Sequence, residues 1–305
     1  MPWVHRVMPL EGKRILEVGC GTGSSTAAFA KVAAEVHTCD VDTRGLATAR
    51  RRFELLNLRN ITIDEVGAPA FFDVATRYGS SFDVVLLFAV LEHQTLEERL
   101  ATLRRSWELL EPGGVLVVIE TPNRLCYFDS HTMQQPFWGM VPSDVVLRSG
   151  RLSNEPRFRM VMDSLLAGQE SDREVGLTRW GRGISFHDVD IAIPREEYTV
   201  AADGYEREMV DLFPVTYDER LLQAYLAHTR LDVSPAFGRT VLSFILPKDG
   251  GRGHAPARHF TPLVGCTAEL QALRDRAASL SPAEIQAWLD HMIKRGQEAN
   301  YWPLS

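Results

Sequence analysis

The run Ile15-Leu16-Glu17-Val18-Gly19-Cys20-Gly21-Thr22-Gly23 constrains this chain more than any other segment. An apolar strand with an acidic residue near its end runs straight into three closely spaced glycines. Glycine takes positive φ freely and puts no side chain over the turn, so a ligand can lie against the backbone. Ser24-Ser25-Thr26-Ala27-Ala28-Phe29-Ala30 follows with a helical pattern. Strand, glycine turn and helix in that order make the nucleotide-binding corner of an open α/β sheet, where ligands sit beyond the carboxyl ends of the strands.

The spacing narrows the ligand. A dinucleotide corner needs its third glycine in a G-x-G-x-x-G frame, and Ser24 stands at that place. The phosphate-cradling G-x-x-x-x-G-K-[ST] loop is also missing from the sequence. Glu17 would repel a pyrophosphate and favour a cationic amino group. S-adenosyl-L-methionine meets these conditions, with an ammonium, a sulfonium, a ribose and an adenine but no phosphate. Two other readings compete. An NAD(P)-dependent oxidoreductase on a similar sheet is disfavoured by Ser24 and Glu17. A non-catalytic cofactor-binding scaffold is disfavoured by the intact glycines and by Asp40.

A second strand, Glu35 to Cys39, ends at Asp40, about twenty residues past the glycine turn, the distance at which open α/β folds bind ribose hydroxyls. Asp42 competes for that role but reads better as a helix N-cap. The run Phe82 to Phe88 continues into Ala89-Val90-Leu91-Glu92-His93, followed by an amphipathic helix with Leu96, Leu100, Leu103, Trp107 and Leu110 at helical spacing. Glu111-Pro112-Gly113-Gly114 then turns into the strand Val115 to Glu120, and Thr121-Pro122-Asn123-Arg124 follows. As an ordered set, residues 12–125 resemble the class I S-adenosylmethionine-dependent methyltransferases, in particular the quinone-biosynthesis type and its small-molecule relatives. The resemblance implies a doubly wound, mostly parallel seven-stranded α/β sheet. It also implies cofactor contacts from Glu17, Gly19, Cys20, Gly21, Gly23, Asp40, Val41, Gly67, Ala68, Leu87 and Phe88. One departure stands out: Gly67-Ala68-Pro69 occupies the place where the family often has an acid that reads the adenine amino group. Backbone groups near Gly67 and Ala68, or Asp64 if the strand ends early, would take that part.

Strands near 14–18, 35–39, 61–66, 84–88 and 115–120 alternate with helical patterns, as a parallel sheet with helices on both faces requires. Residues 1–124 form the expected cofactor-binding core, and 196–247 complete it. Thr240 to Leu246 is the expected last strand, which the resemblance implies is inserted antiparallel, and another strand lies near Tyr198 to Ala202 or at Glu208 to Phe213. Residues 125–195 break the alternation and mix aromatic residues with arginines, which reads as a mostly helical cap over the carboxyl edge of the sheet. After a Gly-rich linker, residues 248–305 carry two expected helices, near 267–279 and 282–296. The apolar stripe of Leu270, Leu273, Ala277 and Leu280 either packs on the parent domain or makes a homodimer contact.

At 305 residues with a formal net charge of −7, the chain is large enough for one such domain plus additions and lacks the basic surface that nucleic acid or an anionic membrane would need. Cys20, Cys39, Cys126 and Cys266 form no C-x-x-C pair, so a reduced, cytoplasmic protein is expected, with no metal. No apolar run reaches the length of a membrane span.

Methyl transfer is an in-line displacement at an activated carbon. The protein's main task is then to hold the acceptor about 3 Å away, which can supply roughly 7–11 kcal/mol of the barrier. A base is needed only for an acceptor that is protonated at neutral pH. His93, just past the fourth strand, is one candidate; its structural alternative is a histidine bonded to a loop carbonyl. His131 in Tyr127-Phe128-Asp129-Ser130-His131 is the other, with Asp129 or another acid expected to orient its ring. His187 ranks third, because Ser185 and Asp188 read as a helix start. A small-molecule acceptor, planar or acidic, suits the aromatic and arginine content of the insertion.

Overall fold

The computed structural model describes residues 2–67, 70, 72–73, 82–129, 131–153, 155–205, 217–228 and 233–248, together with the single positions 281, 283 and 287. Ala68, the segment Glu208 to Phe213, Cys266 and, apart from those single positions, both expected C-terminal helices lie outside the described residues. Numbered over the described residues, the chain runs α1 (Pro2–Val7), β1 (Arg14–Val18), α2 (Ser24–Ala30), β2 (Glu35–Cys39), α3 (Thr43–Leu55) and β3 (Ile61–Asp64). It continues with β4 (Phe82–Phe88), α4 (Leu96–Leu109) and β5 (Leu110–Pro122), then α5 (Ser143–Ser149), α6 (Pro156–Ala167), α7 (Glu170–Arg179) and α8 (Phe186–Ala192). The last described elements are β6 (Ala202–Asp203), α9 (Tyr217–His228) and β7 (Val241–Pro247).

The seven strands form one sheet in the order β3-β2-β1-β4-β5-β7-β6, with β7 antiparallel to both neighbours and the five strands from β3 to β5 parallel. Side chains alternate faces along a strand. Leu16, Val85 and Leu87 accordingly enter one apolar cluster, and Ile15, Val84 and Leu86 enter the other. Burial on both faces is why β1 and β4 read as continuous apolar runs instead of alternating ones. Chain order reverses between β1 and β4, which opens a crevice above their carboxyl ends. Several boundaries differ from the sequence expectation. β3 stops at Asp64, short of Val66, β5 runs from Leu110 to Pro122 and takes in the expected Glu111–Gly114 turn, β7 lies one residue later, and β6 is a two-residue edge strand at Ala202–Asp203.

Gly23 fixes how the glycine turn meets the helices. Its φ is +72°, and a Cβ there would lie 2.5 Å from Cζ of Phe53, on α3. The missing side chain therefore lets α2 and α3 close on each other under the turn. Asp42 caps α3 by accepting the Arg44 N–H at 3.0 Å, as its position in the sequence suggested.

The segment between β5 and β6 has its own apolar cluster of Met133, Trp138, Val146, Phe158, Met162 and Leu177. It is tied to the carboxyl edge of the sheet by backbone bonds: Arg124 N–H donates to the Ile184 carbonyl, and Ile184 N–H to the Pro122 carbonyl, both at 2.9 Å. A buried ion pair, Arg99 with Asp188 at 2.8 Å, adds a second anchor, and Arg99 Nε also donates to the Leu91 carbonyl at 3.0 Å.

These contacts predict unequal costs for two glycines of the same turn. Gly21 has φ +50° with nothing within 4 Å of an added Cβ. Gly21→Ala should cost only the left-handed backbone penalty, about 1–2 kcal/mol. Gly23→Ala should add overpacking against Phe53, about 1–3 kcal/mol more. Urea midpoints of the two variants measure the difference; equal values would contradict the packing assignment.

Candidate active site

The end of β2 and the residue after it hold the glycine turn by three hydrogen bonds and the start of α3 by a fourth. Gly19 and Cys20 N–H both donate to the Cys39 carbonyl at 3.0 Å. Gly21 N–H donates to one oxygen of Asp40 at 2.6 Å, and Asp42 N–H to the other at 2.8 Å. Each carboxylate oxygen keeps a further lone pair for a ligand hydroxyl. Beside Asp40, Val41 leaves an apolar side chain 73% exposed on the rim.

The remaining expected cofactor residues fall into two groups. Glu17 is fully buried and accepts hydrogen bonds from the Ser25 and Thr26 hydroxyls at the start of α2. These bonds brace the glycine turn against the start of α2. Burial pushes the pKa of Glu17 up to about 7, against the opposing effect of those hydroxyls. Leu87 is also fully buried, its side chain inside the core, so only its backbone can border the crevice. Cys20 is buried too, with its thiol pKa pushed up to about 11 by desolvation. Phe88 is half-buried, edge-on to Tyr205. Gly67 is half-buried past the end of β3. Asp64, the last residue of that strand, has a buried Oδ2 with no hydrogen-bond partner.

Past β4 the structure brings the two candidate histidines together, with ring centroids 5.9 Å apart. His93 Nδ1 lies 3.0 Å from the Arg179 carbonyl, so this nitrogen carries the proton and Nε2 the free lone pair. His131 Nδ1 lies 3.0 Å from the Thr132 hydroxyl, whose own proton goes to the Gly181 carbonyl at 2.8 Å. The hydroxyl must then accept from Nδ1–H, and Nε2 of His131 is again the free nitrogen. Burial lowers the pKa of both imidazoles, favouring the neutral form a base requires.

The sequence expectation for His131 needs one correction. Asp129 does not orient its ring: the carboxylate accepts the backbone N–H groups of His131, Thr132 and Met133, a local turn that competes for its oxygens. Thr132 sets the ring instead. Gly181, at φ +115°, lets the ring approach, since a Cβ there would lie 2.7 Å from His131 Cε1. His187 stacks on Phe186 and bonds Ser185, while Asp188 accepts the Ser185 N–H at 2.8 Å. This is the helix-start alternative to catalysis.

A third group joins the pair. Glu92 is fully buried; its Oε2 accepts from Thr121 at 3.4 Å and its Oε1 has no partner. Oε1 lies 3.9 Å from His93 Nε2. Burial raises its pKa to about 7. The turn that carries Glu92 and His93 is clamped by the insertion. Arg182 N–H donates to the Glu92 carbonyl at 2.8 Å, and Arg179 donates to the His93 carbonyl at 2.7 Å. The same guanidinium forks onto Glu98 at 2.6 and 2.7 Å and holds that carboxyl's pKa down to about 2. Glu92, Thr132 and Gly181 were not singled out from the sequence, and Arg179 stood there only among the insertion's arginines. Glu92 left a trace in the Val-Leu-Glu-His run.

The family described as "Methyltransferase domain" matches residues 16–116, which span β1 to β5. A ubiquinone biosynthesis O-methyltransferase from Cereibacter sphaeroides is 36% identical over 121 residues, covering 38% of this chain and 44% of that protein. Its counterpart from Psychrobacter arcticus is 38% identical over 117 residues, with the same coverage of 38% and 44%. Residues 16–116 are thus similar to the methyltransferase domain of class I S-adenosylmethionine-dependent enzymes. This chain spans less than half the length of these curated relatives. The structure of PKMT2 from Rickettsia typhi, solved with AdoHcy, superposes on 84% of this chain and 54% of its own at a TM-score of 0.52. At 15% identity, that likeness concerns the fold alone. No helix of the described residues is long and apolar enough to cross a membrane.

The raised pKa of Glu17 gives the methyltransferase core a testable pH dependence. Between about 4.5 and 7 the folded protein holds a proton on Glu17 that the unfolded chain releases. Glu17 therefore loses the protein stability as pH rises through that window, by up to ~3 kcal/mol. Glu17→Gln removes this contribution. Its stability relative to the parent should rise from pH 4.5 to 7 and level off above, in urea denaturation at several pH values. A difference independent of pH would contradict the assignment.

Proposed function

We propose that this chain is a cytoplasmic S-adenosylmethionine-dependent methyltransferase acting on an oxygen of a small-molecule acceptor, a phenol, hydroxyl or carboxylate of a quinone-like or secondary-metabolite compound. The observation that carries the reading is the pairing of two features on one sheet edge: the Asp40-braced glycine turn and the His93–His131 pair beyond β4. The residues present fit the methyl donor. Asp40 has lone pairs for ribose hydroxyls, Val41 offers an exposed apolar surface for a ring, and space above Gly21 is open. The unpartnered oxygen of Asp64 suits the adenine amino group, taking the part of the missing acid after Gly67. S-adenosylmethionine supplies a methyl group on a cationic sulfur.

The chain's own residues do the rest. The insertion over the carboxyl edge excludes water and selects the acceptor, and Arg179 and Arg182 keep the turn that carries His93 in place. The paired imidazoles meet the acceptor's hydroxyl and take part in removing its proton. The curated relatives, which the chain matches over 44% of their length, are O-methyltransferases of ubiquinone biosynthesis, and this favours oxygen as the atom methylated.

Calorimetric titration with S-adenosylhomocysteine tests the cofactor half. The parent should bind one equivalent, and Asp40→Ala should weaken binding at least ~10-fold by removing a charge-assisted hydrogen-bond acceptor. No binding by the parent would end the proposal. For the acceptor half, His93→Ala should lower kcat on a phenolic acceptor by about 10²–10⁴ with little change in S-adenosylhomocysteine affinity. Unchanged turnover in both His93→Ala and His131→Ala would remove the pair from the chemistry.

A further inference from the structure

Three electron-pair donors meet at the carboxyl end of β4. A ring nitrogen of His93, a ring nitrogen of His131 and an oxygen of Glu92 all lie within 4.8 Å of one another. Both imidazoles have their Nδ1 protons committed elsewhere, to the Arg179 carbonyl and the Thr132 hydroxyl. A second imidazole nitrogen donated to a carbonyl or hydroxyl is the arrangement that fixes metal-ligating histidines. Glu92 Oε1 is the independent sign of a ligand: it is fully buried, unpartnered, and 3.9 Å from His93 Nε2. That separation is too long for a hydrogen bond, and two ligands of one ion stand at a comparable spacing.

We propose that Glu92, His93 and His131 bind a divalent transition-metal ion, zinc by the chemistry of the set. Two imidazoles and one carboxylate make the borderline-soft, three-protein-ligand group that leaves a fourth position open. Calcium and magnesium call for all-oxygen shells and do not suit it. The ligands come from two parts of the chain, the turn after β4 and the insertion, so the ion would also lock the insertion onto the core. Its use rests on the methyltransferase reading: an ion there would take the imidazole lone pairs and, in place of a free imidazole base, hold an acceptor oxygen at its open position and lower the pKa of the hydroxyl. The site itself does not depend on that reading.

The test uses the full chain, stripped with a chelator and desalted. Calorimetry with zinc chloride should give one tight equivalent for the parent. His131→Ala should bind at least ~100-fold more weakly, since even outer partners of ligands are worth 10–100-fold. His187→Ala, a histidine outside the cluster, should match the parent. Cobalt(II) added to the stripped parent should give a visible d–d band that His131→Ala lacks, a readout independent of activity. Far-UV circular dichroism checks that the variant is folded, and His131→Gln repeats the comparison with a bulkier side chain. Failure of the parent to bind zinc, or equal binding by the parent and both His131 variants, overturns the site. S-adenosylhomocysteine titration of the same samples separates the two claims: zinc binding without S-adenosylhomocysteine binding leaves the metal site standing and ends the methyltransferase reading.

Discussion

The carboxylate of Asp40 is the group on which the rest of the site depends. It ends β2, and its two oxygens accept the amides of Gly21 and Asp42, one from the glycine turn and one from the start of α3. A single side chain thereby fixes the turn above β1 relative to the strand beside it. Charge-assisted bonds of this kind are stronger than neutral ones, and they leave the outer lone pairs of the acid directed at whatever lies on the turn. The glycines make the space, and Asp40 sets its shape.

A second constraint comes from outside the core. The turn after β4 has no regular secondary structure beyond one short 3-10 segment, Leu91–His93. It is held by Arg99 from α4 and by Arg179 and Arg182 from the insertion. Removing one partner of the buried Arg99–Asp188 pair would leave an uncompensated charge, at a cost of about 3–5 kcal/mol. The insertion is therefore part of the site's framework and more than a cover: it supplies His131, the carbonyl that selects the His93 tautomer, and Gly181, against which the His131 ring packs.

Much of the core was legible in the sequence because its signals are local. Arg14–Val18, Ser24–Ala30 and Glu35–Cys39 follow from period and glycine spacing alone, and Asp42 from its place before a helix. The last strand followed from its β-branched and aromatic residues, and its antiparallel sense from the family resemblance. What stayed hidden depends on contacts distant in sequence. Glu92 looks like an ordinary surface acid until burial leaves one of its oxygens without a partner. His93 and His131 are separated by a whole helix and strand, and no periodicity in the chain brings them together. Asp129 misled because a carboxylate close in sequence to a histidine can equally well close a local turn. No metal was expected from cysteines that form no C-x-x-C pair, whereas the cluster found here is two imidazoles and one acid.

Crystals grown with S-adenosylhomocysteine would test the central claim most directly. The account predicts density lying over Gly19 to Gly23, with the ribose hydroxyls on Asp40 and the sulfur facing the turn that carries Glu92 and His93. Density elsewhere, or a ligand whose ribose makes no contact with Asp40, would contradict it.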